Sequence, residues 1–174
     1  MPAQDITMQT PTPACLSADS NVEATGLTFR LCRHAIAQFD LPLEWLQDLV
    51  DTVERVTNSD LWQRATAGSL MSEVPIVVYD QTSSPPALLR GVIDLIVRTD
   101  AGTIIVDFKS ERVTDADDLA QLATYYTPQL QAYAHWWQKT TEDPVVEIGV
   151  FFTHAGEYQP VPLPGQEAEA SALN

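Results

Sequence analysis

The chain has 174 residues, 45% of them hydrophobic, and a formal net charge of −15, which suits one domain with a real core and ragged ends. No apolar stretch approaches the length of a bilayer span, and the opening MPAQDITMQTPTPAC lacks the basic start and apolar run of a secretory signal. Two cysteines, Cys15 and Cys32, suit a reducing, cytoplasmic compartment, and so acidic a chain lacks the broad basic face of a free-standing duplex binder.

In chain order, residues 1–25 mix Pro, Thr, Ser and Asp without periodicity and read as a flexible leader. From Thr28 to Phe39, apolar residues at Phe29, Cys32, Ala35 or Ile36 and Phe39 fall at helical spacing. After Pro42 a second helix places Leu43, Leu46, Leu49 or Val50 and Val53 on one side, and Asp60 begins a further short turn. The texture then changes to EVPIVVYD, a β-branched run from Glu73 closed by the loop QTSSPP. LLRGVIDLIVRTD, a turn at Asp100 to Gly102 and TIIVDFKS predict a β-hairpin. Asp115 to Lys139 reads as helix, capped by Thr114 or Asp115 and open to a split at Pro128. VVEIGVFFTH is the last predicted strand, and residues 158–174 read as a frayed tail. Three consecutive antiparallel strands and a fourth reached by a helical crossover imply an α/β fold, a mixed central sheet flanked by helices. Residues 26–157 make up that domain.

The charge is uneven. Between Leu88 and Arg112 the basic residues Arg90, Arg98, Lys109 and Arg112 cancel Asp94, Asp100, Asp107 and Glu111, while the chain beyond is strongly acidic. The least acidic segment is also the one with unusual residues. Asp94 stands inside GVIDLIV, and Asp107 with Lys109 closes IIVDFK. A carboxylate among apolar strand neighbours is costly to bury unless it is paired or binds a cation. In the predicted hairpin the two acids lie equally far from the turn, so they should face each other and repel. A divalent cation removes both penalties. Lys109, two residues beyond Asp107, projects from the same strand face. Two acids and a lysine at a sheet edge suit metal-assisted phosphodiester hydrolysis, the lysine orienting water or stabilising developing charge.

G-V-I-D-L, twelve residues between Asp94 and Asp107, D-F-K-S and then Y-T-P-Q-L-Q-A-Y-A resemble the nuclease domain of the RecB and AddA helicase–nucleases, members of the PD-(D/E)xK superfamily with its restriction-endonuclease-like core. The resemblance runs from about Glu73 to Phe152. It implies that Asp94, Asp107 and the Phe108 backbone carbonyl hold Mg²⁺, with Mn²⁺ as a substitute, and that Lys109 is the catalytic lysine. Gln129 and Tyr133 match the family's Q-x-x-x-Y, one helical turn apart, and would contact DNA or brace the catalytic strand. Glu73 resembles the acidic residue before the first core strand. The implied activity is a DNA exonuclease working with a helicase, in a separate chain or in the same longer one, in repair and recombination.

One departure concerns the metal-ligating histidine that the family carries in a G-T-x-x-H-like pattern. Here G-L-T-F-R puts Arg30 in that place, and His34 follows one turn later. Either His34 is the ligand or Arg30 has replaced it. Blander readings stand beside these: Asp94 facing solvent, Asp107–Lys109 a surface ion pair, Tyr133 a packing residue, and His34, His135 and His154 plain surface histidines. Trp136 and Trp137 cannot both face one core, so one should be exposed or covered by another domain. The competing function is a catalytically degenerate nuclease fold that binds DNA or braces a helicase.

Overall fold

The computed structural model describes residues 19–80 and 87–166. Cys15, most of the expected leader, the QTSSPP loop and the last eight residues of the tail lie outside them. Two compact units are formed, residues 1–50 and residues 51–174. In the first, α1 (Asp19–Gln38) starts nine residues before the expected helix, within the stretch read as leader. Cys32 and Ile36 are its buried positions, while Phe29 and Phe39 are exposed. Asp40 ends it at φ 52°, with the Leu41 N–H donating to the Ile36 carbonyl, a left-handed cap filled here by Asp instead of Gly. A single 3-10 turn (Leu43–Trp45) leads into α2 (Leu46–Thr57), which runs across the division between the units.

The second unit is a five-stranded sheet in sequential order. α3 (Asp60–Thr66), capped by Ser59 Oγ accepting from the Trp62 N–H, is followed by β1 (Ser69–Asp80), β2 (Ala87–Thr99) and β3 (Gly102–Lys109). Next come α4 (Ala116–Thr141), β4 (Val145–Phe152) and β5 (Glu157–Val161). β1–β2, β2–β3 and β4–β5 pair antiparallel, and β3–β4 pair parallel across the α4 crossover. β5 corrects the expectation of a frayed tail: Glu157–Val161 ladders onto β4, so its backbone groups find partners. α4 is likewise one helix. Pro128 frees the Thr124 carbonyl, but both residues lie on the exposed face, where water can satisfy it.

Two cores flank the sheet. Ile93, Ile96, Ile105, Ile148, Val150 and Phe152 pack under α4 against Ala123, Leu130, Ala134 and Trp137. On the other face Leu95, Val97, Ile104, Val106 and Phe151 meet Leu61 and Ala65 of α3. Trp137 is the inward tryptophan, and Trp136 lies half-buried beneath Lys139.

Strand alternation predicts that Ile93 and Leu95 share a face. They do not: Ile93 joins the α4 core and Leu95 the opposite one. β1 slips at the matching place, since Met71 and Val74 both pack toward α4. Between them Glu73 has φ 54°, and in the register Glu73 and Asp94 fall between the Ser72↔Leu95 and Val74↔Ile93 pairs. A left-handed residue turns the strand about its axis, and the break in the pleat falls at Asp94.

Candidate active site

Asp107 and Lys109 continue the row of Ile105 on the α4 face of β3, where the parallel neighbour β4 covers the strand from Thr103 to Lys109. Asp107 is 2% exposed. Lys109 Nζ lies 2.5 Å from Asp107 Oδ2 as an ion pair, although that oxygen accepts no hydrogen bond of regular geometry and is shut off from solvent. Burial raises the Asp107 carboxyl above the ordinary aspartate range, Lys109 pulls it back down, and the charges of Asp94 and Glu111 push it up again.

Asp94 is half-buried. The β2–β3 ladder ends at Leu95↔Val106, and the Phe108 N–H donates to Asp94 Oδ2 at 2.8 Å. The kink thus delivers Asp94 to the Asp107 end of β3 and gives one of its oxygens a backbone donor. Phe108 itself points away, edge-on to Phe151 in the opposite core.

α4 supplies the roof. Gln129 Nε2 donates to Asp107 Oδ1 at 3.3 Å and to the Tyr133 hydroxyl at 3.1 Å. Tyr133 in turn lies over Gly91: a Cβ there would come within 2.9 Å of the ring. The glycine of G-V-I-D-L is therefore the space that the tyrosine of Q-x-x-x-Y fills. Sequence reasoning paired neither Glu111 nor Tyr126 with the site. The Tyr126 hydroxyl donates to Glu111 Oε1, which raises the phenol to about 12, and Lys109 Nζ stands 4.6 Å from the Tyr126 ring centroid. The available signal was spacing, because Tyr126, Gln129 and Tyr133 stand three and four residues apart on one helix face.

The structure thus brings together Asp94, Asp107, Lys109, Gln129 and Tyr133. Glu73 is exposed at the strand slip, where it falls opposite Asp94 between the Ser72↔Leu95 and Val74↔Ile93 pairs. His34 and Arg30, both exposed on α1, belong to residues 1–50. His135 and His154 are exposed. Among the described residues no group of three or more His, Cys, Asp or Glu is arranged to hold a metal ion. Asp94 and Asp107 nevertheless fit a cation that keeps most of its water, as Mg²⁺ does when one or two carboxylates hold it. The Asp107 oxygen such an ion would use, Oδ2, is buried and paired with the Lys109 ammonium, with which the ion would share it.

A family model, the PD-(D/E)XK nuclease superfamily, matches residues 13–172. The chain belongs to this superfamily. The PD-(D/E)XK chain is also 34% identical over 74 residues to an ATP-dependent helicase/nuclease subunit of Limosilactobacillus reuteri subsp. reuteri (strain JCM 1112), a match covering 41% of this chain and 5% of that protein. It therefore spans only a small part of that relative's length. Among solved structures, the crystal structure of SSO0001 is similar at a TM-score of 0.44 and 16% identity, covering 86% of this chain and 62% of the other. PD-(D/E)XK nucleases generally use divalent metals, and the mixed five-stranded sheet with helices is the fold of this superfamily. Among the described residues no helix is long and apolar enough to cross a membrane.

Proposed function

We propose that this chain is a Mg²⁺-dependent deoxyribonuclease of the RecB/AddA kind, with Mn²⁺ as a substitute, acting on DNA ends or single strands as an exonuclease. The observation that carries the reading is the Asp107 carboxylate, 2% exposed, with Asp94 beside it and the Lys109 ammonium at 2.5 Å. An ion pair at the surface is screened by water and costs little to form. This one has its carboxylate in the interior at the end of a strand, a costly placement of the kind that clusters at functional sites. Asp94 and Asp107 would hold the cation, with the Phe108 carbonyl as a further ligand. A divalent cation supplies Lewis acidity at the phosphate and a water of lowered pKa. Lys109 places a fixed positive charge where negative charge grows on the phosphoryl oxygens, and Gln129 keeps the Asp107 carboxylate turned toward the same point. The imidazole ligand stays as the sequence left it, His34 or none. Loss of metal affinity in His34→Ala but not in Arg30→Ala would assign it to His34.

Similarity to a helicase/nuclease subunit supports a helicase partner, or a helicase in the same longer chain, working in DNA repair and recombination. Lack of a three-ligand cluster among the described residues favours one rival, a degenerate module that binds DNA without cutting it. Incubating linear single-stranded DNA with the chain and Mg²⁺ or Mn²⁺ separates the two. Cleavage that Asp107→Ala abolishes supports the nuclease; retention of DNA without cleavage in either metal supports the rival.

A further inference from the structure

We infer that Tyr126, tied down by Glu111, is the positioning residue for Lys109. The inference rests on the nuclease reading for its consequence but not for its geometry. A lysine side chain has a long flexible stem and gives up considerable rotamer entropy when held in one place. Lys109 is held on two sides: Asp107 Oδ2 at 2.5 Å and the Tyr126 ring, its centroid 4.6 Å from Nζ.

The two holds differ in kind. Asp107 neutralises the ammonium, and its attraction weakens once its charge is shared with a cation. The ring face attracts the ammonium through its quadrupole, leaves the full positive charge available and does not depend on the state of Asp107. Tyr126 is therefore the anchor that persists when the acids are engaged elsewhere.

The anchor is itself fixed. Its hydroxyl donates to Glu111 Oε1, two residues beyond Lys109. Its ring meets Tyr125 edge-on, with centroids 5.0 Å apart, and packs against the α4 core. Helix spacing then sets three side chains of α4 over three positions of the sheet: Tyr126 over Lys109, Gln129 over Asp107 and Tyr133 over Gly91. Register between α4 and β3 is thereby converted into the placement of the ammonium.

The test uses the full chain with lysine isotope-labelled at Cε, which gives two signals because Lys109 and Lys139 are the only lysines. Lys109→Ala assigns them. Metal-free wild type should show the Lys109 ε-protons shifted upfield by the ring; Tyr126→Leu should return them to the ordinary lysine position, and Tyr126→Phe should keep the shift. On DNA, Tyr126→Leu should show most of the roughly hundredfold loss in kcat expected of Lys109→Ala, with KM little changed. Tyr126→Phe should stay within about fivefold of wild type, the worth of one hydrogen bond. Adding Tyr126→Leu to Lys109→Ala should cost nothing more, since both remove one effect. An unshifted Lys109 signal in wild type, or losses that multiply in the double variant, overturns the inference. A shifted signal in a chain that never cuts DNA overturns the nuclease reading instead.

Discussion

Asp107 concentrates the conflict that the sequence only hinted at. Its folded carboxyl is raised above 3.8, with burial the largest cause. A raised acid favours the folded state when protonated. That stability is complete below the unfolded value and is lost as pH climbs through the raised one. The metal-free protein should therefore lose thermal stability from about pH 4 upward relative to Asp107→Asn, which carries no charge to bury. Denaturation curves in chelator across that range check this, and parallel pH profiles for the two proteins would refute it. At neutral pH, Mg²⁺ should raise the melting temperature of wild type by mass action and leave Asp107→Ala unmoved. Asp94 differs because the Phe108 N–H depends on it. Asp94→Ala should abolish cleavage and also cost roughly 1–3 kcal/mol for the stranded donor, whereas Asp94→Asn should abolish cleavage at a smaller cost in stability. Chemical denaturation of both variants distinguishes them.

At the scale of elements, the kink shared by β1 and β2 is what places Asp94. Glu73 carries it at φ 54° without being glycine. Glu73→Gly should relieve the left-handed strain and stabilise the fold by about 0.5–1 kcal/mol, whereas a β-branched Glu73→Val should destabilise it. If glycine destabilises, the Glu73 side chain contributes something its backbone does not. α4 meets the same strand at Gly91, where a Cβ would come within 2.9 Å of the Tyr133 ring. Gly91→Ala should push that tyrosine away from the strand and draw Gln129, hydrogen-bonded to it, off Asp107, lowering turnover more than stability. Kinetics and melting of one variant decide this, and a loss of stability with kcat unchanged would make the contact plain packing. Hairpin, turn and helix cap were all legible from alternation, Gly102 and Asp115. The slip at Asp94 was not, because a period of two predicts uninterrupted faces. Nor was β5, since Pro160 within EYQPV argues locally against a strand.

For the whole molecule, the net charge of −15 sets the terms on which DNA can approach. Phosphate neutralisation supplies most non-specific affinity, so the chain alone should hold single-stranded DNA more weakly than roughly 100 μM at physiological salt. A titration that finds tight, salt-resistant binding would remove the need for a helicase partner to deliver the strand. The sequence by itself determined which residues carry charge in an apolar setting: Asp94, Asp107 and Lys109 stand out because burying a carboxylate is costly wherever it falls in the fold. It also determined the antiparallel hairpin and the crossover, since apolar periodicity and a short turn are local properties. Only the tertiary structure decided how those residues are held. The break in the pleat at Asp94, the ring of Tyr126 over Lys109 and the fit of Tyr133 onto Gly91 depend on the register between elements far apart in the chain. That register is set by how the α4 face packs on the sheet, and packing between distant segments leaves no periodic trace in either one.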